Sequence, residues 1–191
     1  SSEDLEEGLE LMDYFQHQIT ESKKKREYLA TSEKLFDLPI SSFSELTEIE
    51  REIRKLAAIY DIYQEWKDMS TLWFRELWVN VSIEIMTQQT KTFQLKLRKI
   101  DKELRNLTPY KLLDDNIRKF SESLPLFTDL KSDALRERHW KQLMEDTNKS
   151  FDIDQNTFTL QNLVEMSLYE HAEKISEIVG GAESELKIEH G

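Results

Sequence analysis

The sequence predicts an all-α protein, an elongated bundle of long antiparallel helices without a sheet. Only four Gly and three Pro occur among 191 residues, which is little turn chemistry for a β-protein. Charged residues make up 34% and apolar residues 38%, a balance typical of slender helices that bury one stripe and expose the rest. The apolar residues recur at steps of three and four, which is the period of a helix.

Two helices are predicted in the first third of the chain. Residues 3–35 keep a helical period, and this helix must stop before Pro39, because a residue that precedes proline is pushed out of the α region. Ser42 and Glu45 have the spacing of a capping box at the start of the second helix. That helix carries an a/d seam over about two and a half heptads. The seam consists of Leu46, Ile49, Ile53, Leu56, Tyr60 and Tyr63. It predicts that this helix packs against another helix.

An aromatic cluster follows the seam, formed by Trp66, Trp73, Phe74 and Trp78. It has no surplus of basic residues, since Lys67 and Arg75 are offset by Asp68 and Glu76. We therefore interpret it as the core of a helix junction and not as a platform for bases or ligands. A break is expected near residues 80–82, with Asn80 or Ser82 as the cap. Residues 82–107 are then predicted to form one long helix.

The stretch 124–144 is the least regular part of the sequence. A shorter helix that starts near Tyr110 should end at Pro125. The next should be capped by Ser132 or Asp133 and run to about Asn148. Its candidate inward positions are Leu135, Trp140, Leu143 and Met144.

The run Arg136, Arg138, His139 and Trp140 has two interpretations. In the structural one, Trp140 anchors the helix, while Arg138 or His139 donates to carbonyls freed at the ends of neighbouring helices. In the functional one, the group binds an anion or relays a proton. We prefer the structural interpretation.

Residues 151–159 are expected to form a loop, after which Thr157 or Thr159 starts the last helix. Its predicted buried stripe is Leu160, Val164, Leu168, His171, Ile175 and Ile178. Gly180 and Gly181 should weaken this helix, because each Gly costs about 1 kcal/mol relative to Ala.

The sequence offers no catalytic, cofactor-binding or metal-binding set. A net charge of −12 argues against nucleic acid, and no apolar run reaches the roughly 20 residues of a membrane span. The chain has no Cys, and no His follows a Glu by three residues, as the carboxylate metal sites of helical bundles require. Gly-rich phosphate loops are also absent from the sequence. We therefore expect no cofactor.

Three short motifs resemble the signature of the linker region of dynein heavy chains. They are Leu124-Pro125-Leu126, Arg138-His139-Trp140 and Thr159-Leu160. The resemblance extends over residues 27–189 and is specific from about residue 120 onward. A Phe-Thr-Leu sequence at 158–160, after Phe-Asp-Ile-Asp at 151–154, resembles axonemal more than cytoplasmic heavy chains.

The resemblance implies a non-catalytic linker that bends and straightens as a ring of ATPase modules works, in the axoneme of a cilium or flagellum. Residues 1–38 would be the neck helix that joins the tail, and residues 39–191 the N-terminal helical portion of the linker. The implied partners are the remainder of the same heavy chain, including its ATPase ring, and other dynein subunits through the tail. The alternative is a helical scaffold or interaction bundle of spectrin or tethering type, with the seam at 46–63 as its interface.

Overall fold

The computed structural model describes the backbone of residues 2–35 and 44–190, and the side chains of residues 2–28 and 47–190. Its α-helices are α1 (Ser2–Leu35), α2 (Ser44–Arg75), α3 (Ile83–Arg98), α4 (Thr108–Leu130), α5 (Glu137–Thr147), α6 (Leu160–Val164) and α7 (Ala172–His190). Short 3₁₀ helices occupy Trp78–Asn80, Lys102–Asn106 and Leu168–His171. Within the described ranges the only β pairing is an isolated antiparallel bridge between Leu77 and Thr159. The predicted all-α class is confirmed.

The chain divides into two compact units. The first comprises Ser1–Glu65 with Lys96–Asp114, and the second comprises Trp66–Leu95 with Asp115–Gly191. The single helix predicted for residues 3–35 is confirmed as α1. Pro39 and the predicted capping box of Ser42 with Glu45 lie outside the residues whose side chains are described.

In the first unit, α1 packs against the C-terminal part of the predicted seam. Tyr60 and Tyr63 are buried, and the Tyr63 hydroxyl donates to Glu6 Oε1 at 2.5 Å. Burial and the Glu6 carboxylate together raise the pKa of Tyr63. Ile49, which the seam also places inside, is 53% exposed, so that part of the prediction is wrong. Near Ile49, an ion pair between Lys23 Nζ and Glu50 Oε1 (2.5 Å) joins the two helices.

The predicted helix 82–107 is too long, because α3 ends at Arg98 and a 3₁₀ helix follows. Arg105 donates through its guanidinium to the carbonyls of Arg98 and Ile100, which the helix end would otherwise leave without partners. Ile100 and Leu104 stay buried across the turn, so the apolar pattern does not reveal it. The predicted start is confirmed, since Ser82 Oγ accepts a hydrogen bond from the Ile85 N–H at 3.4 Å.

Two members of the aromatic cluster, Trp66 and Trp78, are buried in the second unit, as predicted, while Trp73 and Phe74 are half-buried. Trp66 is buried and meets Phe93 edge-to-face, with ring centroids 5.3 Å apart. It contacts Phe120 in the same way at 5.4 Å, and Trp73 stacks on Phe120 at 5.5 Å. Edge-to-face and offset stacking are the favoured geometries of aromatic pairs, so these contacts stabilise the unit beyond simple burial.

Pro125 does not end a helix, contrary to the prediction, but lies inside α4 with its ring exposed. A proline in a helix interior costs about 3 kcal/mol, because it lacks an N–H and collides with the preceding turn. The residues that follow it, Leu126, Phe127 and Leu130, are all buried. Burial of each such side chain contributes about 1.5–3 kcal/mol, so their packing outweighs the cost of the proline.

The start of α5 also differs from the prediction. Neither Ser132 nor Asp133 caps it, because α5 begins at Glu137, and the Ser132 hydroxyl instead accepts from the Ala134 N–H at 3.3 Å. The predicted end near Asn148 is confirmed: this residue adopts the left-handed conformation, with φ of 53°. Such a residue is a common way to end a helix.

The predicted last helix is divided in two. Thr159 caps α6, as expected, but α6 ends at Val164, and Ser167 takes a left-handed φ of 52° before α7 begins. The buried face of α7 is Ile175, Val179 and Ala182. Of the predicted stripe residues that lie in α7, Ile175 is buried, as predicted, while Ile178 is only half-buried. The helix is continuous through Gly180 and Gly181.

The glycines should respond to substitution in opposite ways. Gly180→Ala and Gly181→Ala should each raise the free energy of unfolding by about 1 kcal/mol, since Ala is the better helix former and a Cβ at either position meets no atom within 4 Å. Gly8→Ala should lower it, because its Cβ would lie 2.6 Å from Cζ of Tyr60. Urea unfolding followed by circular dichroism measures all three. A stabilising Gly8→Ala would contradict the packing of α1 on α2.

Candidate functional site

Phe158 is the centre of an aromatic junction in the second unit. We use that name for Trp78, Phe127, Trp140, Phe151 and Phe158. The Phe158 ring lies 4.7 Å from Phe151 in a stacked contact, 5.4 Å from Trp140 edge-to-face, and 6.0 Å from Trp78. Phe127 of α4 meets Trp78 at 6.2 Å. The junction therefore joins α4, α5, the 3₁₀ helix after α2 and the loop before α6.

Backbone hydrogen bonds hold this loop against the chain that follows α2. The Trp78 N–H donates to the Phe158 carbonyl at 2.8 Å, and the Leu160 N–H donates to the Glu76 carbonyl at 3.0 Å. Thr159 lies between these two bonds, and its N–H donates to Asn162 Oδ1 at 2.9 Å to begin α6. Pairing on both sides fixes the direction in which Phe158 points.

Lys131 lies above one ring of the aromatic junction. Its ammonium donates to the Trp78 carbonyl and lies 4.1 Å from the centroid of the Trp78 ring. Burial lowers the pKa of Lys131. A cation over an aromatic face is attracted by the negative face of the ring, so this lysine connects the end of α4 to Trp78.

A second contact of α5 is an ion cluster formed by Arg138, His139 and Glu185. Arg138 donates to Glu185 Oε2, and His139 Nε2 lies 3.2 Å from the same oxygen. On its other side, His139 Nδ1 accepts the Arg136 N–H at 2.9 Å. Because Nδ1 accepts, we assign the proton of the neutral ring to Nε2, which then donates to Glu185. His139 thus caps the start of α5 and holds it to α7.

The prediction that Arg138 or His139 donates to carbonyls at helix ends is therefore wrong. Their partner is a carboxylate, that of Glu185 in α7. Arg136 lies 3.9 Å from Glu189, so the bases of this run face acidic residues of the same chain. Glu185 and Glu189 are four residues apart and therefore lie on one face of α7. This spacing is the sequence signal that could have indicated a helix face with ion pairs to basic residues.

The remaining signature residues occupy different surroundings. Trp140 is 9% exposed and contacts Phe158 within the aromatic junction, as the structural interpretation expects. Leu160 is fully buried, and Leu124 lies on the buried face of α4, whereas Pro125 faces outward. The structure thus brings Trp140, Thr159 and Leu160 to the junction and Arg138 with His139 to the ion cluster.

A metal site would require a group of carboxylates and imidazoles that lie close together. Across the ranges that the structure describes, no set of three or more His, Asp or Glu side chains could hold a metal ion. Among the same residues, no helix is both long and apolar enough to cross a bilayer. The arrangement around Phe158 and Glu185 is that of a structural junction, which fixes helices relative to one another within the second unit.

This helical chain with its structural junction matches a known family of motor proteins. Residues 46–191 match the family described as dynein heavy chain, N-terminal region 2. The chain belongs to the dynein heavy chain family. The predicted resemblance to dynein heavy chains is therefore confirmed.

Several relatives are similar over nearly the whole chain. It is 38% identical to human dynein axonemal heavy chain 10 over 187 residues, or 98% of this chain. It is 40% identical over 186 residues, or 97% of this chain, to the Chlamydomonas reinhardtii dynein-1-alpha heavy chain of the flagellar inner arm I1 complex. The chain spans only 4% of the length of either relative. These comparisons confirm the predicted axonemal type and, with it, the predicted location in the cytoskeleton of the axoneme.

Trp140→Ala should lower the free energy of unfolding by about 3–5 kcal/mol, because it removes a large buried ring from the aromatic junction. Trp140→Phe keeps an aromatic ring beside Phe158 and should cost clearly less. Urea unfolding followed by far-UV circular dichroism gives both values. A loss below about 1 kcal/mol for Trp140→Ala would mean that the ring does not anchor α5.

Glu185→Gln should destabilise the protein in a pH-dependent way. The hydrogen bond from Arg138 holds the pKa of Glu185 below its usual range, so the ionised group stabilises the fold at and above that range. This contribution is lost as the pH falls through the lower pKa of the folded state. The difference in Tm between wild type and variant should therefore be present at pH 7 and shrink as the pH falls below the usual pKa range of a Glu side chain.

Glu177→Gln is the matched control for this titration, since Glu177 is an exposed carboxylate on the same helix. It should leave Tm unchanged at neutral pH. A pH-independent effect of Glu185→Gln would show that the ionised carboxylate is not what stabilises the contact between α5 and α7.

Proposed function

We propose that this chain is a mechanical element of a dynein microtubule motor, the linker that transmits ATP-driven changes of the motor ring to the tail. Residues 1–38 would form the neck helix that joins the tail, and residues 39–191 the N-terminal helical portion of the linker domain. The observation that carries the proposal is the match of residues 46–191 to N-terminal region 2 of dynein heavy chains.

The physical character of the chain supports this role. A lever must transmit force over distance, and the 32 residues of α2 span about 48 Å at 1.5 Å per residue. It must also keep its helices in fixed relation under load. In the second unit, aromatic packing around Phe158 and the ion cluster at Glu185 attach α5 to the loop before α6 and to α7. The second feature keeps the helices of the second unit in fixed relation to one another.

In this proposal the chain has no ATPase activity of its own, and the ATPase lies in the ring of the full heavy chain. Its partners are the remainder of the same heavy chain, including that ring, and other dynein subunits through the tail. It needs no cofactor. Calorimetric titration of this chain with ATP tests the point, because binding at micromolar concentration would contradict a purely mechanical role.

The packing in the first unit argues against the alternative, a scaffold that uses the seam at 46–63 as its interface. Tyr60 packs against Gly8, and Tyr63 donates a hydrogen bond to Glu6. The buried part of the seam is therefore already covered by α1. A partner chain would have to displace α1 to reach it, which favours the role within a motor.

The lever role predicts uncoupling when the junction is weakened in the complete heavy chain. Trp140→Ala combined with Glu185→Gln should leave the ATPase rate close to that of wild type, while microtubule gliding slows by a clearly larger factor. The reason is that the ring is intact but its changes are transmitted through a loosened joint. ATPase and gliding assays on the same preparation measure both.

Glu177→Gln in the same heavy chain is the control and should alter neither rate. Limited proteolysis of the purified motor verifies that the double variant is folded. Gliding that falls only in proportion to the ATPase rate would contradict the lever role, because the substitutions would then act on ATP turnover itself.

A further inference from the structure

The first half of α1 has a second apolar face that the described part of the chain leaves exposed. Its inner face contains Leu5 and Met12, which are buried. Leu11, Tyr14 and Phe15 are 54%, 58% and 45% exposed. At about 100° per residue, these three span roughly 100° of the helix surface, with Leu11 at the centre, about 110° around the helix from the inner face. We call them the outer face of α1.

The outer face lies in a strongly acidic stretch. Residues 1–16 contain six acidic side chains and no Lys, Arg or His, which gives a formal side-chain charge of −6. The six are Glu3, Asp4, Glu6, Glu7, Glu10 and Asp13. Glu3, Glu7 and Glu10 are exposed, and they lie on the turns of α1 that precede Leu11. The surface therefore combines an apolar turn with a negative rim.

We infer that the outer face of α1 docks a basic amphipathic helix from another part of the same heavy chain. Such a helix would pack apolar side chains on Leu11, Tyr14 and Phe15 and place Lys or Arg opposite the acidic rim. A second copy of α1 is disfavoured, because two surfaces that each carry the exposed carboxylates of Glu3, Glu7 and Glu10 would repel each other. Opposite charge is therefore the property that selects the partner.

The size of the outer face favours a tethered partner over a separate protein. Stable interfaces between separate proteins use roughly 20–30 residues a side, far more than three apolar side chains and their rim. A segment of the same polypeptide binds at a high effective concentration and needs less contact area. The relatives leave ample length for it, since this chain spans only 4% of theirs. The inference rests on membership of a longer heavy chain and not on the proposed lever role.

Photo-crosslinking in the complete heavy chain tests the inference. Tyr14→p-benzoylphenylalanine places the reactive group on the outer face, and Thr20→p-benzoylphenylalanine is the matched control on an exposed position at the opposite side of α1. Equal amounts of ¹⁵N-labelled and unlabelled heavy chain are mixed before illumination, and crosslinked peptides are sequenced by mass spectrometry. When a crosslink forms within one heavy chain, its two peptides are either both ¹⁵N-labelled or both unlabelled.

The expected product joins position 14 to a net-positive peptide of the same heavy chain outside residues 1–191, with a single label. Its yield should fall about threefold or more between roughly 50 mM and 500 mM NaCl, because screening weakens exposed charge pairs. Glu7→Lys with Glu10→Lys should reduce it similarly while leaving the circular dichroism spectrum unchanged.

Four results would overturn the inference. They are a mixed-label product with a second copy of α1, a product with another polypeptide, a product with a neutral or acidic segment, and a yield at position 14 no higher than at position 20. None of these depends on whether ATPase and gliding are coupled, so failure here is distinct from failure of the lever proposal.

Discussion

The contact of Phe158 with Trp140 determines how the second unit is assembled. Phe158 follows a loop without regular structure, and its ring meets α5 on one side and Trp78 on another. The backbone bonds at Trp78 and Leu160 hold the loop in place on either side of that ring. Because one side chain serves several elements, loss of its neighbours would release the loop as well as a helix. The whole chain has only four glycines and consists mainly of long helices, so few other interactions are available to hold this loop in place.

The ends of α5 and α6 show how the chain solves the same local problem with different residues. His139 Nδ1 accepts a hydrogen bond from the Arg136 N–H, and Asn162 Oδ1 accepts one from the Thr159 N–H, both at 2.9 Å. In each case the acceptor lies three residues after the donor in the sequence. Each cap satisfies a donor that the helix start would leave unpaired. In His139 the second ring nitrogen is then free to reach Glu185 of α7. A capping residue thereby becomes a tertiary contact, which a shorter amide side chain at this position would not provide.

Periodicity predicted the elements that are governed by local sequence. It found α1, the buried tyrosines of α2, the loop before Thr159 and the inward placement of Trp140. It failed where tertiary packing overrides a local signal. Pro125 stays in α4 because Leu126, Phe127 and Leu130 are buried after it, and α3 ends early because Arg105 binds the exposed carbonyls. Glu185 was missed because its partners Arg138 and His139 are 47 and 46 residues away in the sequence. Such pairs are visible only in three dimensions.

The contact between Gly8 and Tyr60 has a consequence for how this region can diverge among related heavy chains. Relatives in this family differ from the chain at well over half of the aligned positions. A side chain at position 8 would occupy the volume that the Tyr60 ring fills. The two positions, 52 apart in the sequence, are therefore not independent in evolution. A larger residue at 8 can be accepted only together with a smaller one at 60, whereas positions 180 and 181 can vary singly because open space surrounds them.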